Sequence, residues 1–457
     1  MARRTPIAIV MLTALTPLGA SAQEGARDAL QARDDRIEEL ERKVELLADE
    51  LSRVRTEMVV PADPELASLY GFGPAASKIY GRDRGLSIGG YGELNYTNFV
   101  GNADAGRDSF PGDTFSDEKL DRADALRLVL YLGYKFTDRI LFNSEIEFEH
   151  GLIGEGTDTA ESGEVAVEFA TLDFLFNDHV NARAGLMLLP MGFLNEVHEP
   201  PFYLGVHRPE TERRIIPATW REMGAGVFGH LGEEIEYRAY TVTGFNAAGF
   251  SSSGIRGGRQ SGNRSLAEDL AFVTRIDWTP EPGLLLGGSV YTGKSGQGQT
   301  SSLTGVDVDL PDSRLTLGEL HAQWRSGRFQ TRGVFSWSHL ANAGALNEAL
   351  GNVPGVDAPI ADEMLGGYVE LGYDLWDLFF EGDSKSLVPW ARVEYVDTQH
   401  DVPSGFVSDR NKAFWLYAAG VDFKPTPNVV LKLEYRNFDP RRGEIPDELS
   451  LGMGFAF

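Results

Sequence analysis

Along most of the chain, apolar and polar residues alternate with a period of two, as in a β-strand with one apolar face. In the segment "DALRLVLYLGYKF" the apolar face consists of Leu126, Leu128, Leu130 and Leu132. Arg127 and Lys135 lie on the opposite face. From about Leu86 onward this unit repeats, closed in turn by a very short turn and by a longer polar loop. That pattern is typical of a transmembrane β-barrel with short turns on one side and long loops on the other.

The strands of this barrel are predicted by the same alternation. We place them at 85–97, 124–136, 140–150, 164–176, 180–188, 222–231, 234–244, 268–279, 283–292, 313–325, 329–339, 365–376, 386–398, 412–424, 428–438 and 447–457. The fold class is therefore all-β, an antiparallel barrel of about 16 strands over residues 85–457, and bacterial barrels have even strand numbers. A soluble propeller or solenoid would repeat a motif at a fixed period, and none occurs here.

The final segment, "ELSLGMGFAF", favours a membrane barrel over a soluble β-sandwich. Its apolar face consists of Leu449, Leu451, Met453, Phe455 and Phe457, while the other face carries small residues. An apolar face against lipid and small residues toward a lumen suit a membrane barrel better than a soluble sandwich. The terminal Phe457 also looks like the signal by which bacterial outer-membrane proteins reach the barrel-assembly machinery, which we expect as a partner.

The N-terminal end indicates export. Residues 1–22 combine Arg3 and Arg4, a short apolar run and the small-residue sequence Ala20-Ser21-Ala22, the pattern of a cleaved signal peptide. The chain contains no cysteine, which excludes disulfides and thiol metal ligands. We therefore expect a protein of the cell outer membrane with long loops outside the cell, in contact with membrane lipid and lipopolysaccharide.

A coiled coil is predicted within residues 23–60, on the periplasmic side. Its seam, at alternating steps of three and four, consists of Ile37, Leu40, Val44, Leu47, Leu51, Val54 and Met58. Flanking charges such as Arg36 and Glu41 agree with parallel pairing, but the core residues leave a dimer or a trimer open. Residues 61–84, with Pro61, Pro64 and Pro74, are interpreted as a linker.

One segment, Pro190–Gly224, interrupts the alternation after the fifth predicted strand. A loop of this length is usually functional or disordered, and its many apolar residues disfavour disorder. Folded inward, it would narrow the pore and present charges to solutes. The candidate constriction residues are Glu196, His198, Glu199, His207, Arg208, Glu210, Glu212, Arg213, Arg214 and Arg221. An outer loop packed against a neighbouring barrel is the alternative.

The run "NARAGLMLLPMGFLNEVHEPPFYLGVHRPETERRIIPATWREMGAGVFG", together with "GYGELNY" and "FNSEIEFEHG", resembles the phosphate-selective porin O and P family of Gram-negative outer membranes. The resemblance implies a homotrimer of 16-stranded barrels, each with its third external loop folded into the pore. Such proteins also carry a coiled-coil preface, and the preference for a three-stranded coil rests on this resemblance.

The charge of the lumen is the point at which the chain departs from that family. Phosphate-selective members concentrate lysines and an arginine ladder in the pore, whereas no lysine occurs here between Lys135 and Lys294. Predicted lumen-facing arginines are Arg127, Arg183, Arg238, Arg275, Arg332 and Arg392. Predicted lumen-facing carboxylates are Glu93, Glu145, Glu147, Asp277, Glu394 and Glu434. The predicted function is therefore passive diffusion of small hydrophilic or charged solutes; the alternatives are a phosphate- or pyrophosphate-selective channel and a structural envelope anchor.

Overall composition changes this interpretation little. The net charge of −26 sums loops, coiled coil and lumen, and it argues against nucleic acid as a partner. Much of the acid lies in the loop "GNADAGRDSFPGDTFSDEKLDRAD", where binding of divalent cations at lipid headgroups competes with simple solvation as the explanation.

Chemistry other than transport finds no support in the motifs. The chain lacks the H-E-x-x-H and G-x-S-x-G patterns, so we expect no enzyme, no cofactor and no metal site. "GSVYTGKS", Gly288–Ser295, matches a phosphate-binding loop in letters, but the glycine- and glutamine-rich residues after it do not predict the helix that such a loop requires.

Overall fold

The computed structural model describes residues 36, 42–43, 68–100, 121–151, 163–302, 305–356, 358–380 and 384–457. The predicted signal peptide and most of the acidic loop at 101–120 lie outside these ranges. Of the predicted coiled coil, only Arg36, Arg42 and Lys43 are described, as helical residues. The chain divides into two compact units, Met1–Val54 and Arg55–Phe457, and the strands belong to the second.

Sixteen strands pair antiparallel in one closed barrel, in which the first strand pairs with the last. They are β1 (Gly85–Val100), β2 (Arg122–Thr137), β3 (Ile140–Glu149), β4 (Val165–Leu175), β5 (Asn181–Leu188), β6 (Arg221–Leu231), β7 (Ile235–Thr243), β8 (Leu270–Glu281), β9 (Leu284–Lys294), β12 (Arg314–Ser326), β13 (Phe329–Leu340), β14 (Glu363–Tyr373), β15 (Ser386–Asp401), β16 (Ala413–Thr426), β17 (Val429–Pro440) and β18 (Asp447–Ala456). The numbering also counts two short strands, between β9 and β12, that lie outside the barrel. The predicted 16-stranded fold class is confirmed.

The remaining elements are short and lie in connections. They are the hairpin strands β10 (Thr300–Ser301) and β11 (Val308–Asp309), the helices α1 (Pro74–Ser77), α2 (Ala343–Ala349) and α3 (Trp376–Phe379), the 3-10 turns Pro200–Phe202, Ala247–Gly249, Arg256–Gly258 and Arg410–Lys412, and the π-helical turn Thr211–Ile215. No helix in the described ranges has the length and apolarity needed to cross a membrane.

The two faces of each strand have the environments that the alternation predicts. On β14, Val369 and Leu371 point outward and are 59% and 50% exposed, whereas Tyr368 and Glu370 point inward and are buried. The same outward apolar row recurs around the barrel, for example at Leu128 on β2. A closed sheet with this outer face leaves no unpaired strand edge toward lipid.

The C-terminus lies at the closing seam of the barrel. Tyr91 of β1 is in register with Ala456 of β18. Beyond it, the Phe457 amide donates to Gly90 O at 2.8 Å, and the Gly90 amide donates to Phe457 O at 2.9 Å. The final residue therefore completes the pairing of the first strand with the last.

Residues 70–80, part of the segment interpreted as a linker, pack inside the barrel, whereas residues 81–84 are exposed. All four residues of helix α1 are buried. Pro74 begins this helical turn, a position that proline favours. A side chain at Gly89 or Gly133, both on the inner face, would meet Ala75 O or Ile79. The Tyr80 hydroxyl donates to Asp173 on β4 at 2.5 Å. The segment thus forms part of the filling of the lumen.

Candidate functional site

The segment between β5 and β6, residues 189–220, is called the lumen loop here. Its two ends meet at the Leu189 amide, which donates to Trp220 O at 3.0 Å. The buried side chain of Asn195 closes the same base with three hydrogen bonds, donated to Leu189 O (2.6 Å) and Trp220 O (2.9 Å) and accepted from Trp220 N (2.6 Å). The Trp220 ring stacks on Phe245 with centroids 4.6 Å apart.

From this base the loop crosses the barrel to the opposite wall. Its 3-10 turn Pro200–Phe202 contacts β18, and its π-helical turn Thr211–Ile215 contacts β13, β14 and β15. The loop packs closely against glycines of the wall. A Cβ added at Gly454 would clash with Pro200, and one added at Gly366 would lie 2.8 Å from Ile215. The loop is therefore folded inward in the structure.

Charged side chains of the far wall bind the backbone of the loop. Lys432 of β17 donates to Tyr203 O at 2.8 Å and to Gly205 O at 2.6 Å. Arg392 of β15 donates to Leu204 O at 2.8 Å. Glu434 accepts hydrogen bonds from the amides of Val206 (3.0 Å) and His207 (2.8 Å). Buried backbone groups need such partners, so these side chains hold the loop against the wall.

The predicted lumen-facing arginines all lie on the inner face, and each contacts a carboxylate. The contacts are Arg127 with Glu93 (3.3 Å), Arg183 with Asp173 (2.8 Å), Arg238 and Arg275 with Asp277 (2.7 and 2.8 Å), and Arg332 and Arg392 with Glu370 (both 2.9 Å). Asp173 and Glu370 were missed in the sequence, although the alternation along β4 and β14 places both inside. The six arginines thus share four carboxylates, Glu93, Asp173, Asp277 and Glu370.

The predicted constriction residues differ in exposure. Glu196, His198, Glu199, Glu210 and Glu212 are buried, while His207, Arg208, Arg214 and Arg221 are half-buried and the Arg213 side chain is 46% exposed. Most of them contact protein groups: Glu196 pairs with Arg238, and Arg221 lies 3.3 Å from Glu168. The Glu212 carboxylate accepts a hydrogen bond from Tyr368 at 2.6 Å. These charges chiefly anchor the loop in this conformation.

The pKa values of two buried carboxyl groups of the loop, Glu199 and Glu210, are shifted in opposite directions. Burial raises the pKa of Glu199 to about 8, although its carboxylate accepts a hydrogen bond from the Ala75 amide at 3.1 Å. Burial also acts to raise the pKa of Glu210, but Arg214, Arg213 and Arg436 hold it well below its usual range. Glu210 therefore stays ionised in neutral solution and ties the loop to β17.

Much of the inner face of the barrel is covered. Many inward-facing residues of the described strands are at most 4% exposed, including Tyr91, Val129, Val273, Leu317, Tyr368, Leu416 and Val430. Between the loop and β12–β14, next to Leu204 and Arg332, lies a partly open cavity of about 10 Å³, room for about one water molecule. The lumen loop and residues 70–80 occupy part of the lumen.

Replacing Asn195 by alanine is expected to loosen the base of the loop. Three buried hydrogen bonds are lost, and the expected cost is about 1–3 kcal/mol in the free energy of unfolding. Urea-induced unfolding of the protein in lipid vesicles measures this cost. The exposed Asn263 is the matched control, since Asn263→Ala is expected to change stability by less than about 0.5 kcal/mol. Equal losses in both variants would mean that Asn195 does not secure the loop.

The chain is similar in sequence to one known protein and similar in fold to several solved structures. No family model matches the chain. An uncharacterized protein of Aquifex aeolicus is 34% identical over 391 residues, which cover 84% of this chain and 82% of that protein.

Solved structures share the fold at low sequence identity. The outer membrane channel DcaP of Acinetobacter baumannii matches with a TM-score of 0.50 and 16% identity, covering 81% of this chain and 97% of that one. Salmonella typhi OmpF, solved with daunomycin, matches with a TM-score of 0.51 and 12% identity, covering 82% and 98%. The chain has the fold of an outer-membrane porin and belongs to the same family as the Aquifex aeolicus protein.

Proposed function

We propose that the protein is an outer-membrane channel for passive diffusion of small hydrophilic or charged solutes, with the lumen loop as its filter. The observation that carries this proposal is the distribution of polarity. Outward-facing residues such as Leu128 and Val369 are apolar and exposed, whereas the enclosed face carries charged residues such as Arg392 and Glu434. A barrel that served only as an anchor has no need of so many charges in its interior.

The paired charges favour a general channel over an oxyanion-selective one. Each of the six predicted lumen-facing arginines contacts a carboxylate, which offsets the positive potential that would attract phosphate or pyrophosphate. Selectivity for size, imposed by the loop, is then expected to exceed selectivity for charge. Homotrimeric assembly, the periplasmic coiled coil and the barrel-assembly signal at Phe457 belong to the same proposal.

Single-channel recording in planar lipid bilayers tests the function. We expect discrete open steps, and in a salt gradient a reversal potential close to zero, because each predicted lumen-facing arginine lies beside a carboxylate. Block by millimolar phosphate, or a strong preference for anions, would favour the oxyanion-selective alternative. Absence of open steps at every voltage, for a protein shown to be folded, would contradict the channel and favour the anchor.

A further inference from the structure

Three buried side chains from separate elements converge behind the lumen loop. Glu145 lies on β3, Glu168 on β4 and His198 in the loop, and each is at most 1% exposed. One ligand atom from each lies within 4.8 Å of the other two. The set offers two carboxylate oxygens and one imidazole nitrogen.

The distances within this set are those of ligands around one ion. His198 Nε2 lies 3.4 Å from Glu145 Oε1 and 3.2 Å from Glu168 Oε2. A tetrahedral ion with bonds of about 2.0–2.1 Å separates its ligand atoms by about 3.3–3.4 Å. The imidazole nitrogen is therefore spaced from both carboxylates as two ligands of one cation are, and the two carboxylate oxygens lie within 4.8 Å of each other.

Each of the two carboxylates also has one buried oxygen that makes no hydrogen bond within the described ranges. For Glu168 this is Oε2, the atom 3.2 Å from His198 Nε2; for Glu145 it is Oε2, while Oε1 faces His198. Arg221 lies 3.3 Å from the other oxygen of Glu168, so its charge is directed away from the point of convergence. A buried carboxylate oxygen without a donor or a cation is costly, and a metal ion removes that cost.

We propose that Glu145, Glu168 and His198 bind one divalent transition-metal cation of the Zn²⁺ class. Imidazole in the set favours such an ion over Mg²⁺ or Ca²⁺, which prefer oxygen ligands throughout. The ion links the lumen loop to β3 and β4. Sequence spacing gave no sign of this site, because its ligands come from three elements that only the barrel brings together.

Metal binding by the intact protein tests the site. The protein is stripped with a chelator and dialysed against Zn²⁺ alone, and metal content is measured. We expect about one tightly bound ion per chain in the wild type, and an affinity at least about tenfold weaker in Glu145→Gln and Glu168→Gln. The matched control is Glu363→Gln on β14, which alters a half-buried carboxylate 3.8 Å from His339 Nδ1. The control should bind zinc as the wild type does.

A second measurement needs no variant, in case the substitutions prevent folding. X-ray absorption of the zinc-loaded wild type is expected to show a shell of nitrogen and oxygen near 2.0 Å with the scattering of one imidazole. Less than about one tenth of an ion per chain would overturn the site and leave a protonated His198 between two carboxylates. An oxygen-only shell would likewise overturn it, by placing the ion on acidic surface groups. Channel conductance is scored separately, so either result leaves the proposed function to its own test.

Discussion

Excising residues 193–216 of the lumen loop, and joining the ends with a short glycine-serine connector, is expected to raise single-channel conductance severalfold. A barrel of 16 strands encloses an aqueous channel unless something fills it. Here the loop crosses to the far wall, and the wall glycines Gly366 and Gly454 are in close contact with it. Conductance of a channel is limited by its narrowest section. Removal of the loop should therefore increase conductance more than any single substitution does.

The control for this excision is removal of residues 353–356, an exposed turn before β14. It shortens the chain without touching the lumen loop, and conductance should stay at the wild-type value. Heat-dependent migration on gels confirms that both variants form folded barrels. An excision variant that is folded but conducts like the wild type would show that the pore is limited elsewhere.

Replacing Glu370 by glutamine is expected to destabilise the barrel by about 3–5 kcal/mol, because two buried guanidinium groups lose their shared carboxylate. Glu370 is 2% exposed, and its two oxygens lie 2.9 Å from Arg332 Nε and 2.9 Å from Arg392 Nη2. Removing the carboxylate leaves each guanidinium group without the acid that it contacts at 2.9 Å. The free energy of unfolding in urea, measured in lipid vesicles, checks the size of the loss.

Glu363→Gln on the same strand is the matched control for Glu370→Gln. Its side chain is 32% exposed and lies 3.8 Å from His339, so the expected loss is below about 1 kcal/mol. A second readout follows from the sign of the charge: Glu370→Gln makes the lumen more positive and should shift the reversal potential toward anion selectivity. Similar stabilities for the two variants would mean that the buried pairs contribute little.

The strands are the part of the structure that the sequence predicts well. On β2 the leucine row from Leu126 to Leu132 predicted an outward face, and Leu128 is 47% exposed. The physical reason is local, since successive residues of a strand point to opposite faces and lipid and lumen select opposite chemistry. Strand ends were predicted to within a few residues because turn residues close each unit.

Connections were harder to interpret for the opposite reason. Residues 68–84 carry a proline that suggested a linker, yet Ala75 and Ile79 pack inside the barrel. A linker and a packed plug share the same composition, and only contacts with β1, β2 and β4 distinguish them. The lumen loop was located from its length and its apolar residues, but its inner contacts were not.

The alternation along the chain was enough to predict the barrel, its strand number and six of its inward-facing arginines, because successive residues of a strand point to opposite faces. Which of those charged side chains contact one another is seen only in the folded barrel. Arg392 reaches both Glu370 on the neighbouring strand and Leu204 O in the lumen loop. Glu145 and Glu168 reach His198 from another part of the wall. Pairings of this kind depend on barrel closure and strand register, which place distant residues within a few ångströms of one another and which no local pattern encodes.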